Sequence, residues 1–333
     1  MLPLTLAEIA RAAGGTVHGA ASPGLTVTGP VVIDSREVTV GALFVAIAGG
    51  RRDGHDFARA AYAAGASAVL GSRPVGGPCV VAGDVAAALA RLARLVRDSV
   101  SPVVIGLTGP TCKATASDLL AQILEHEGPT VATSRFLSNE ISLPLTVLAA
   151  DLQTRYLVVD TGAAPPGGIT RLVRIARPQV GLVLSAGPAD ALTPGGTEGI
   201  ARARAELVRG LPPAAQGGLA LLNADDERAA ALARRTPAAV MLYGTGHDAA
   251  VRAQDVTAGP DGHASFTLRT PAAQAPVRLG LPGAHQVGNA LAAACAAIAV
   301  GVRTDRIASA LSHAVPRSPG RFEIRDRSLF PAR

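Results

Sequence analysis

The stretch that decides the fold is residues 103–127, which read VVIGLTGPTCKATASDLLAQILEHE. It opens with a run of apolar residues over 103–107, which is typical of a strand buried on both faces. A turn containing Gly109 and Lys113 follows, and the apolar spacing over 116–127 predicts a helix. This order is the setting in which backbone N–H groups bind phosphate, although strand, turn, lysine and helix also occur together in α/β proteins as plain architecture.

Strands and helices continue to alternate after this stretch. The expected strands are 156–160, 180–185 and 218–223, and the expected helices are 169–175, 199–209 and 227–235. Such alternation predicts an α/β fold with a doubly wound, mostly parallel sheet. Residues 251–281 lack helical spacing and predict an antiparallel appendage, and an apolar helix is expected over 285–300.

The first hundred residues predict a separate small α/β domain. Its expected helices are 4–13, 57–64 and 85–98, and its expected strands are 31–33, 43–46, 68–70 and 79–81. At 333 residues the chain is too long for one ordinary core. We therefore expect a first domain over 1–99, a central domain over 100–318, and a short segment over 319–333.

Composition narrows the function classes. The net charge of +6 comes from arginines scattered singly along the chain, without aromatic-flanked basic stripes, so nucleic-acid binding is not expected. Three widely spaced cysteines, Cys79, Cys112 and Cys295, suit a reducing compartment. No basic leader precedes an apolar core, and the apolar run over 290–300 is too short to span a bilayer, so we expect a cytoplasmic protein without a membrane partner.

The turn after the first central strand resembles the ATP-binding loop of the Mur ligase family, Thr-Gly-x-x-Gly-Lys-Thr/Ser. Gly109 and Lys113 are in register with that pattern. Cys112 stands where the family has a glycine that lets backbone N–H groups approach phosphate, and Ala114 stands where it has a Mg²⁺-binding hydroxyl. Thr115 lies about 100° further round the helix, so its hydroxyl is a poor substitute. The resemblance therefore implies an ATP loop that lacks the family's Mg²⁺-binding hydroxyl.

The first domain resembles the part of Mur ligases that binds the UDP end of the substrate. The similarity covers residues 34–36, 41–46 and 52–57. It implies that Ser35, Arg36, Asp53 and His55 contact a UDP-linked substrate, since hydroxyl and guanidinium donors suit diphosphate oxygens. A surface turn with a solvated arginine is the other interpretation.

Other segments extend the resemblance, in particular to the Mur ligases that add D-alanyl-D-alanine to a UDP-linked muramoyl tripeptide. The implied nucleotide-site residues of these segments are Asn139, Asn223, Asp225, His285 and Asn289. Asp160 replaces a family glutamate that helps to hold metal, and Asp190 replaces a metal-site histidine. Arg204 replaces a lysine that the family carbamylates, and a guanidinium cannot form that carbamate.

These substitutions leave three interpretations open. The first is a non-catalytic Mur ligase homologue that binds a UDP-linked muramoyl peptide or UDP as a sensor, scaffold or partner subunit. The second is a divergent ATP-dependent amide ligase of peptidoglycan or specialised-metabolite synthesis, with ATP and Mg²⁺ as cofactors. We do not expect the family's amine-binding domain in this sequence, so a protein partner would supply it. The third is a relic whose fold persists without a task.

Overall fold

The computed structural model describes residues 1–19, 24–50, 52–110, 113–133, 139–162, 167–185 and 196–317. We call residues 1–100 the first region. Its elements are β1 (Leu4–Thr5), α1 (Leu6–Ala13), β2 (Thr16–His18), β3 (Thr26–Val27), β4 (Val31–Val32), β5 (Leu43–Val45), α2 (Ala58–Ala63), β6 (Ala68–Gly71), β7 (Cys79–Val81) and α3 (Val85–Val100). Strands β4, β5, β6 and β7 pair in parallel, and β2 pairs antiparallel with β7, giving the order β2-β7-β6-β5-β4.

The rest of the described chain, which we call the central region, forms one large sheet and its covering helices. Its elements are β8 (Val103–Thr108), α4 (Lys113–Glu125), β9 (Thr130–Ala132), α5 (Ser142–Leu148), β10 (Tyr156–Asp160), α6 (Gly168–Ala176), β11 (Val180–Val183), α7 (Gly196–Arg209), β12 (Leu219–Asn223), α8 (Glu227–Ala230), β13 (Ala239–Gly244), β14 (Val251–Ala258), β15 (His263–Arg269), β16 (Gln274–Pro282), α9 (Gln286–Ala299) and α10 (Thr304–Ser312). The sheet order is β16-β15-β14-β13-β12-β11-β8-β10-β9. All pairs from β14 to β9 are parallel, so the predicted fold class is confirmed.

Strand β8 shows why the sheet needs helices on both faces. Ile105 and Leu107 point into a core shared with α4 and α9, whereas Val104 packs with α3, α5 and α6 on the other face. All three side chains are fully buried. Parallel strands buried in this way read as continuous apolar runs, as residues 103–107 do.

Helix α3 joins the first region to the central region. Asp84 caps its N-terminus by accepting a hydrogen bond from the backbone N–H of Ala87, at 2.9 Å. Its apolar side packs on α1 in the first region and on α5 and α6 in the central region, in one continuous core. The two regions therefore share buried apolar surface along this helix.

The structure differs from the predicted elements in several places. Helix α4 begins at Lys113, three residues before the expected start, so the lysine belongs to the first helical turn. The segment predicted as helix 227–235 is one α-helical turn followed by a 3-10 helix over Ala231–Arg235. The predicted antiparallel strands over 251–281 are present as β14, β15 and β16, and they extend the large sheet because β14 pairs in parallel with β13.

The apolar run near the C-terminal end of the described chain is a core helix. Helix α9 is buried on almost every side and packs against α4 and six strands of the large sheet. Its alanines allow this close approach because they carry the smallest apolar side chains. In the described part of the chain, no helix combines the length and the apolar character that crossing a membrane requires.

Candidate functional site

Polar residues converge at the carboxyl ends of four neighbouring strands of the large sheet. Asn223 ends β12, Ser185 follows β11, Lys113 follows β8, and Asp160 ends β10. Since these strands are parallel and adjacent, their carboxyl ends lie at one edge. The strand order reverses at β8, because β9 and β10 lie on one side of it and β11 and β12 on the other. The crevice at such a reversal is where open α/β sheets bind ligands.

Lys113 and Asp160 form an ion pair across this edge. The Nζ atom of Lys113 lies 3.4 Å from Oδ2 of Asp160, and the two side chains are only 15% and 9% exposed. The second carboxylate oxygen of Asp160 accepts a hydrogen bond from the backbone N–H of Gly162, at 2.8 Å. Both oxygens of the carboxylate are thus engaged within the protein, and the lysine charge is neutralised locally.

The start of the loop after β8 is held rigidly. Thr161 donates from its hydroxyl to the carbonyl oxygen of Leu107, at 2.8 Å, which ties β10 to β8. A side chain at Gly109 would place its Cβ 2.9 Å from Cβ of Leu184, so the chain needs glycine there. Thr111 and Cys112 lie outside the described residues.

The two residues after the lysine occupy different environments. Ala114 lies half-buried in the first turn of α4, and it offers no hydroxyl. Thr115 is 6% exposed and belongs to the buried side of the same helix. Its assignment to the nucleotide site therefore gains no support from exposure, and it stays a prediction.

Arg204 is a buried cation at the same edge of the sheet. Its side chain lies on α7, is 6% exposed, and donates a hydrogen bond from Nη1 to the carbonyl oxygen of Ser185. The hydroxyl of Ser185 in turn donates to Oδ2 of Asp226, at 2.5 Å. Arg204 thus brings a permanent positive charge to the end of β11. Asp190 lies outside the described residues.

Asn223 and Asp225 stabilise the turn after β12. The side-chain amide of Asn223 donates to the carbonyl oxygen of Leu184 at 2.8 Å, and its Oδ1 accepts from the backbone N–H of Asp225 at 2.9 Å. Both carboxylate oxygens of Asp225 accept from the backbone N–H of Thr245, at 2.9 Å. Their polar atoms already have partners inside the protein.

The other predicted nucleotide-site residues lie at helix starts. Oδ1 of Asn139 accepts from the backbone N–H groups of Ile141 and Ser142, each at 2.9 Å, at the start of α5. The exposed His285 precedes α9, and the buried Asn289 donates to Oε1 of the Gln286 side chain at 2.7 Å. Among the described residues, no hydrogen bond joins Asn139, His285 or Asn289 to Lys113.

Three turns meet at the carboxyl edge of the first region's sheet. They follow the parallel neighbours β4, β5 and β6, so they lie side by side. After β4, Asp34 accepts from the backbone N–H of Arg36 and forms an ion pair with its guanidinium, with Nη2 2.6 Å from Oδ2. The Arg36 side chain is 87% exposed, and its pKa is raised by hydrogen bonding to Asp34. Ser35, beside it, is half-buried.

Asp53 and His55 link the turns after β5 and β6. Nδ1 of His55 lies 2.5 Å from Oδ1 of Asp53, and the backbone N–H of Ser72 donates to Nε2 of His55 at 2.9 Å. Since Nε2 already accepts this hydrogen bond, it is not free to take the proton of the Ser72 hydroxyl, 3.3 Å away. The trio is therefore a structural tie and not an activated serine. Hydrogen bonds from the backbone and ring of His55, followed by Arg73, lower the pKa of Asp53.

Ser72 and Arg73 were not predicted from the sequence. Arg73 donates from Nη1 to Oδ2 of Asp53 at 2.6 Å, although the two residues are 20 positions apart. The available signal was their position, because Ser72 and Arg73 lie two and three residues after the end of the predicted strand 68–70. Arg36 and Arg73 give this edge two guanidiniums, from the turns after β4 and β6 on either side of the turn after β5.

Family comparison agrees with both parts of this geometry. Residues 107–297 match a profile described as the Mur ligase middle domain, and residues 30–97 match one described as the Mur ligase family, catalytic domain. This chain belongs to the Mur ligase family. The predicted resemblance is thereby confirmed.

Two similar proteins of the family carry the same ligase name. The UDP-N-acetylmuramoyl-tripeptide–D-alanyl-D-alanine ligase of Mycobacterium tuberculosis strain H37Rv is 38% identical over 98% of this chain and 69% of its own length. The ligase of the same name from Escherichia coli K12 is 34% identical over 97% of this chain and 70% of its own length.

Solved structures of Mur ligases agree with the fold. A crystal structure of MurF from Acinetobacter baumannii matches with a TM-score of 0.84 at 30% identity, over 94% of this chain and 69% of that chain. The crystal structure of MurF ligase from Thermotoga maritima in complex with ADP matches with a TM-score of 0.72 at 26% identity, over 86% of this chain and 66% of that chain. This chain is therefore a MurF-like member of the family.

Proposed function

We propose that this Mur ligase homologue binds a UDP-linked muramoyl peptide through its first region and does not form an amide bond with ATP at its central edge. The observation that carries the proposal is the buried guanidinium of Arg204. Resemblance places a carbamylated lysine at this position in the family. Replacing a carbamate anion with a guanidinium changes the local charge from negative to positive, and that change opposes a divalent cation.

The ion pair between Lys113 and Asp160 supports the same proposal. A phosphate-binding lysine needs its ammonium group directed at the phosphate, and a metal-binding carboxylate needs a free oxygen. Here Nζ of Lys113 lies 3.4 Å from Oδ2 of Asp160, and the other carboxylate oxygen of Asp160 accepts a hydrogen bond from the backbone N–H of Gly162. Binding ATP with Mg²⁺ would have to separate this pair, with Ala114 supplying no replacement ligand.

The first region supports ligand binding. Arg36 and Arg73 lie at the carboxyl edge of β4, β5 and β6, where three turns converge. Guanidiniums form paired hydrogen bonds with phosphate oxygens, so a diphosphate suits this edge. The relatives are named for a UDP-N-acetylmuramoyl-tripeptide substrate, which supplies the choice of ligand.

A second candidate function is an active, divergent ligase. The 38% identity over 98% of the chain with a protein named as a ligase favours it, as does the position of Lys113 at the start of α4. In this case ATP and Mg²⁺ would bind after Lys113 leaves Asp160.

One pair of measurements separates the two functions. Calorimetry with UDP-N-acetylmuramoyl-tripeptide tests binding, and release of ADP from ATP with Mg²⁺, that tripeptide and D-alanyl-D-alanine tests catalysis. We expect saturable binding without ADP release, and we expect Arg36→Gln to weaken binding. ADP release that requires the tripeptide would replace the proposal with the ligase function, and no heat at millimolar tripeptide would overturn the binding function.

The control for binding is Arg11→Gln. Arg11 is also exposed in the first region but lies on α1, which packs mainly on α3, β2 and β7 and not on the turns after β4, β5 and β6. A general effect of removing one positive charge would appear in both variants. A specific contact with the diphosphate would appear only in Arg36→Gln.

A further inference from the structure

A cavity of about 700 Å³ lies at the opposite end of the large sheet from Lys113. Pro178 and Gln179, which precede β11, contribute to its wall, and Gln216, which precedes β12, also lines it. Because β8, β11 and β12 are parallel, the amino ends of the strands lie away from the loop that follows β8. The cavity is thus separate from the candidate site already described.

Arginines from three helices line this cavity. Arg94 and Arg97 lie on α3, Arg174 lies on α6, Arg177 caps α6, and Arg209 ends α7. One carboxylate, that of Glu206, also lines it. The cavity therefore concentrates positive charge between the first and central regions.

Two of these arginines have structural partners. Arg97 donates to the carbonyl oxygens of Ala176 and Arg177, each at 3.1 Å, and so stabilises the C-terminus of α6. Arg97 and Arg177 both form ion pairs with Asp98. Their charges are partly compensated.

Among the described residues, Glu206 forms no ion pair with the remaining arginines. Its carboxylate accepts from the backbone N–H of Gly167 at 2.7 Å and from the backbone N–H of Thr170 at 2.8 Å, and also from the Thr170 hydroxyl at 3.0 Å. These hydrogen bonds hold it at the N-terminus of α6. Within the described ranges, Arg94, Arg174 and Arg209 have neither a hydrogen-bond acceptor nor an ion-pair partner.

We propose that this arginine-lined cavity is a binding site for a diphosphate group. Three guanidiniums without protein partners around one cavity repel one another, and a bound polyanion would remove that repulsion. Paired guanidinium donors match phosphate oxygens, and about 700 Å³ is within the usual range for small-molecule sites. A diphosphate suits the cavity better than one phosphate because the donors come from three separate helices.

Binding there would connect the two regions. Arg94 belongs to α3, whereas Arg174 and Arg209 belong to α6 and α7 of the central region. A shared anion would tie α3 to the other two helices. The site is independent of the proposed function, because neither Arg36 nor Lys113 contributes to it.

The test is calorimetry of the full chain with inorganic pyrophosphate at low salt. We expect saturable binding that is tighter than binding of orthophosphate and that weakens as salt rises. The variant Arg94→Gln/Arg174→Gln/Arg209→Gln should bind pyrophosphate at least about tenfold more weakly. The circular dichroism spectrum and melting temperature of this triple variant check that it folds. If the triple variant does not fold, the single variant Arg174→Gln replaces it and should weaken pyrophosphate binding by a smaller factor.

A matched control removes the same charge elsewhere. The variant Arg59→Gln/Arg228→Gln/Arg303→Gln changes three exposed arginines outside the cavity lining and should bind pyrophosphate as the unmodified chain does. If both triple variants lost pyrophosphate affinity equally, the loss would be an effect of net charge, and the proposal would be overturned. No pyrophosphate binding at millimolar concentration, equal affinity for orthophosphate, or loss of binding in Lys113→Gln would also overturn it.

Titration with UDP separates two sources of the diphosphate. Weaker UDP binding in the cavity triple variant than in its control would assign the diphosphate of a nucleotide to this cavity. If the cavity triple variant lost pyrophosphate binding but bound UDP as its control does, the ligand of this cavity would be a free diphosphate. Either result keeps the site distinct from the edge that carries Arg36.

Discussion

Nζ of Lys113, in the first turn of α4, lies 3.4 Å from Oδ2 of Asp160, the last residue of β10. The pair joins the strand-to-helix turn after β8 to the neighbouring strand. Both side chains are mostly shielded from water, so each charge depends on the other for compensation. In this structure the Lys113 ammonium and the Asp160 carboxylate therefore compensate each other's charge, whereas a nucleotide site would direct such groups at phosphate and metal.

Removing one partner of this pair should destabilise the fold. Asp160→Asn keeps an acceptor for the Gly162 N–H but leaves Lys113 without its counter-charge. We expect a loss of about 1–3 kcal/mol in the free energy of unfolding, measured by urea denaturation, because Lys113 keeps some access to water. The double variant Lys113→Met/Asp160→Asn should lose less than the sum of the two single variants.

The control for this pair is Asp305→Asn. Asp305 pairs with Arg303, but both side chains are more than half exposed, so this change should leave the unfolding free energy nearly unchanged. If the losses of unfolding free energy in Lys113→Met and Asp160→Asn added up to the loss in the double variant, the two residues would not be coupled. The structural role assigned to the pair would then be wrong.

The hydrogen bonds of Asp53 with His55 and Arg73 should make the stability of the fold depend on pH in the acid range. The pKa of Asp53 is lowered from 3.8 by hydrogen bonds from His55 and by Arg73, so its ionised form is favoured in the folded state. That contribution is complete above the unfolded pKa and is lost as pH falls below about 3.8. Asp53→Asn should lack this contribution at every pH.

The measurement is the difference in unfolding free energy between the unmodified chain and Asp53→Asn over a range of pH. We expect a constant difference near neutrality that shrinks as pH falls through the acid range. A difference that grew on acidification would contradict the assigned sign. Glu37→Gln, an exposed change near the turn after β4, should show a much weaker pH dependence.

The sequence predicted the large sheet well because its strands are buried on both faces. Residues 103–107, 156–160 and 180–185 are apolar runs, and each contains a strand in the structure. Strand β13 and helix α10 were missed. In α10 the buried Ile307, Ala308 and Leu311 have the spacing of an amphipathic helix, so the signal was present.

The candidate sites were only partly predictable. The positions of Lys113 and Asp160 at one edge follow from strand direction, once β8 and β10 are known to be neighbours. The pairing of Arg73 with Asp53 requires the order of β5 and β6, which periodicity does not give. Likewise, the role of Glu206 at the start of α6 depends on how α7 packs on that helix, which is a tertiary relationship.

Two glycine substitutions should change stability in opposite directions. Alanine at Gly109 would place its Cβ 2.9 Å from Cβ of Leu184, which forces the loop or β11 to move and should cost about 1–3 kcal/mol. Alanine at Gly288, in α9, meets nothing within 4 Å and should stabilise the fold by about 0.5–1 kcal/mol through helix propensity. Thermal and urea denaturation of both variants measure the signs, and a stabilising Gly109→Ala would contradict the close approach at the loop.

Glu206→Ala should lower stability and strengthen diphosphate binding at the same time. The substitution removes three hydrogen bonds at the start of α6, so we expect a loss of about 1–3 kcal/mol and faster amide exchange at Gly167 and Thr170. It also removes the one carboxylate that lines the cavity of Arg94, Arg174 and Arg209 among the described residues, so pyrophosphate should bind more tightly.

Glu140→Ala is the matched control for both effects. Glu140 is half exposed and forms a surface ion pair with Arg171, outside the cavity lining. Its removal should change the unfolding free energy by less than about 1 kcal/mol and leave pyrophosphate affinity unchanged. Because the two effects of Glu206→Ala have opposite signs, a general loosening of the fold does not imitate them. Weaker pyrophosphate binding in a folded Glu206→Ala variant would show that this carboxylate organises the cavity and does not merely oppose an anion there.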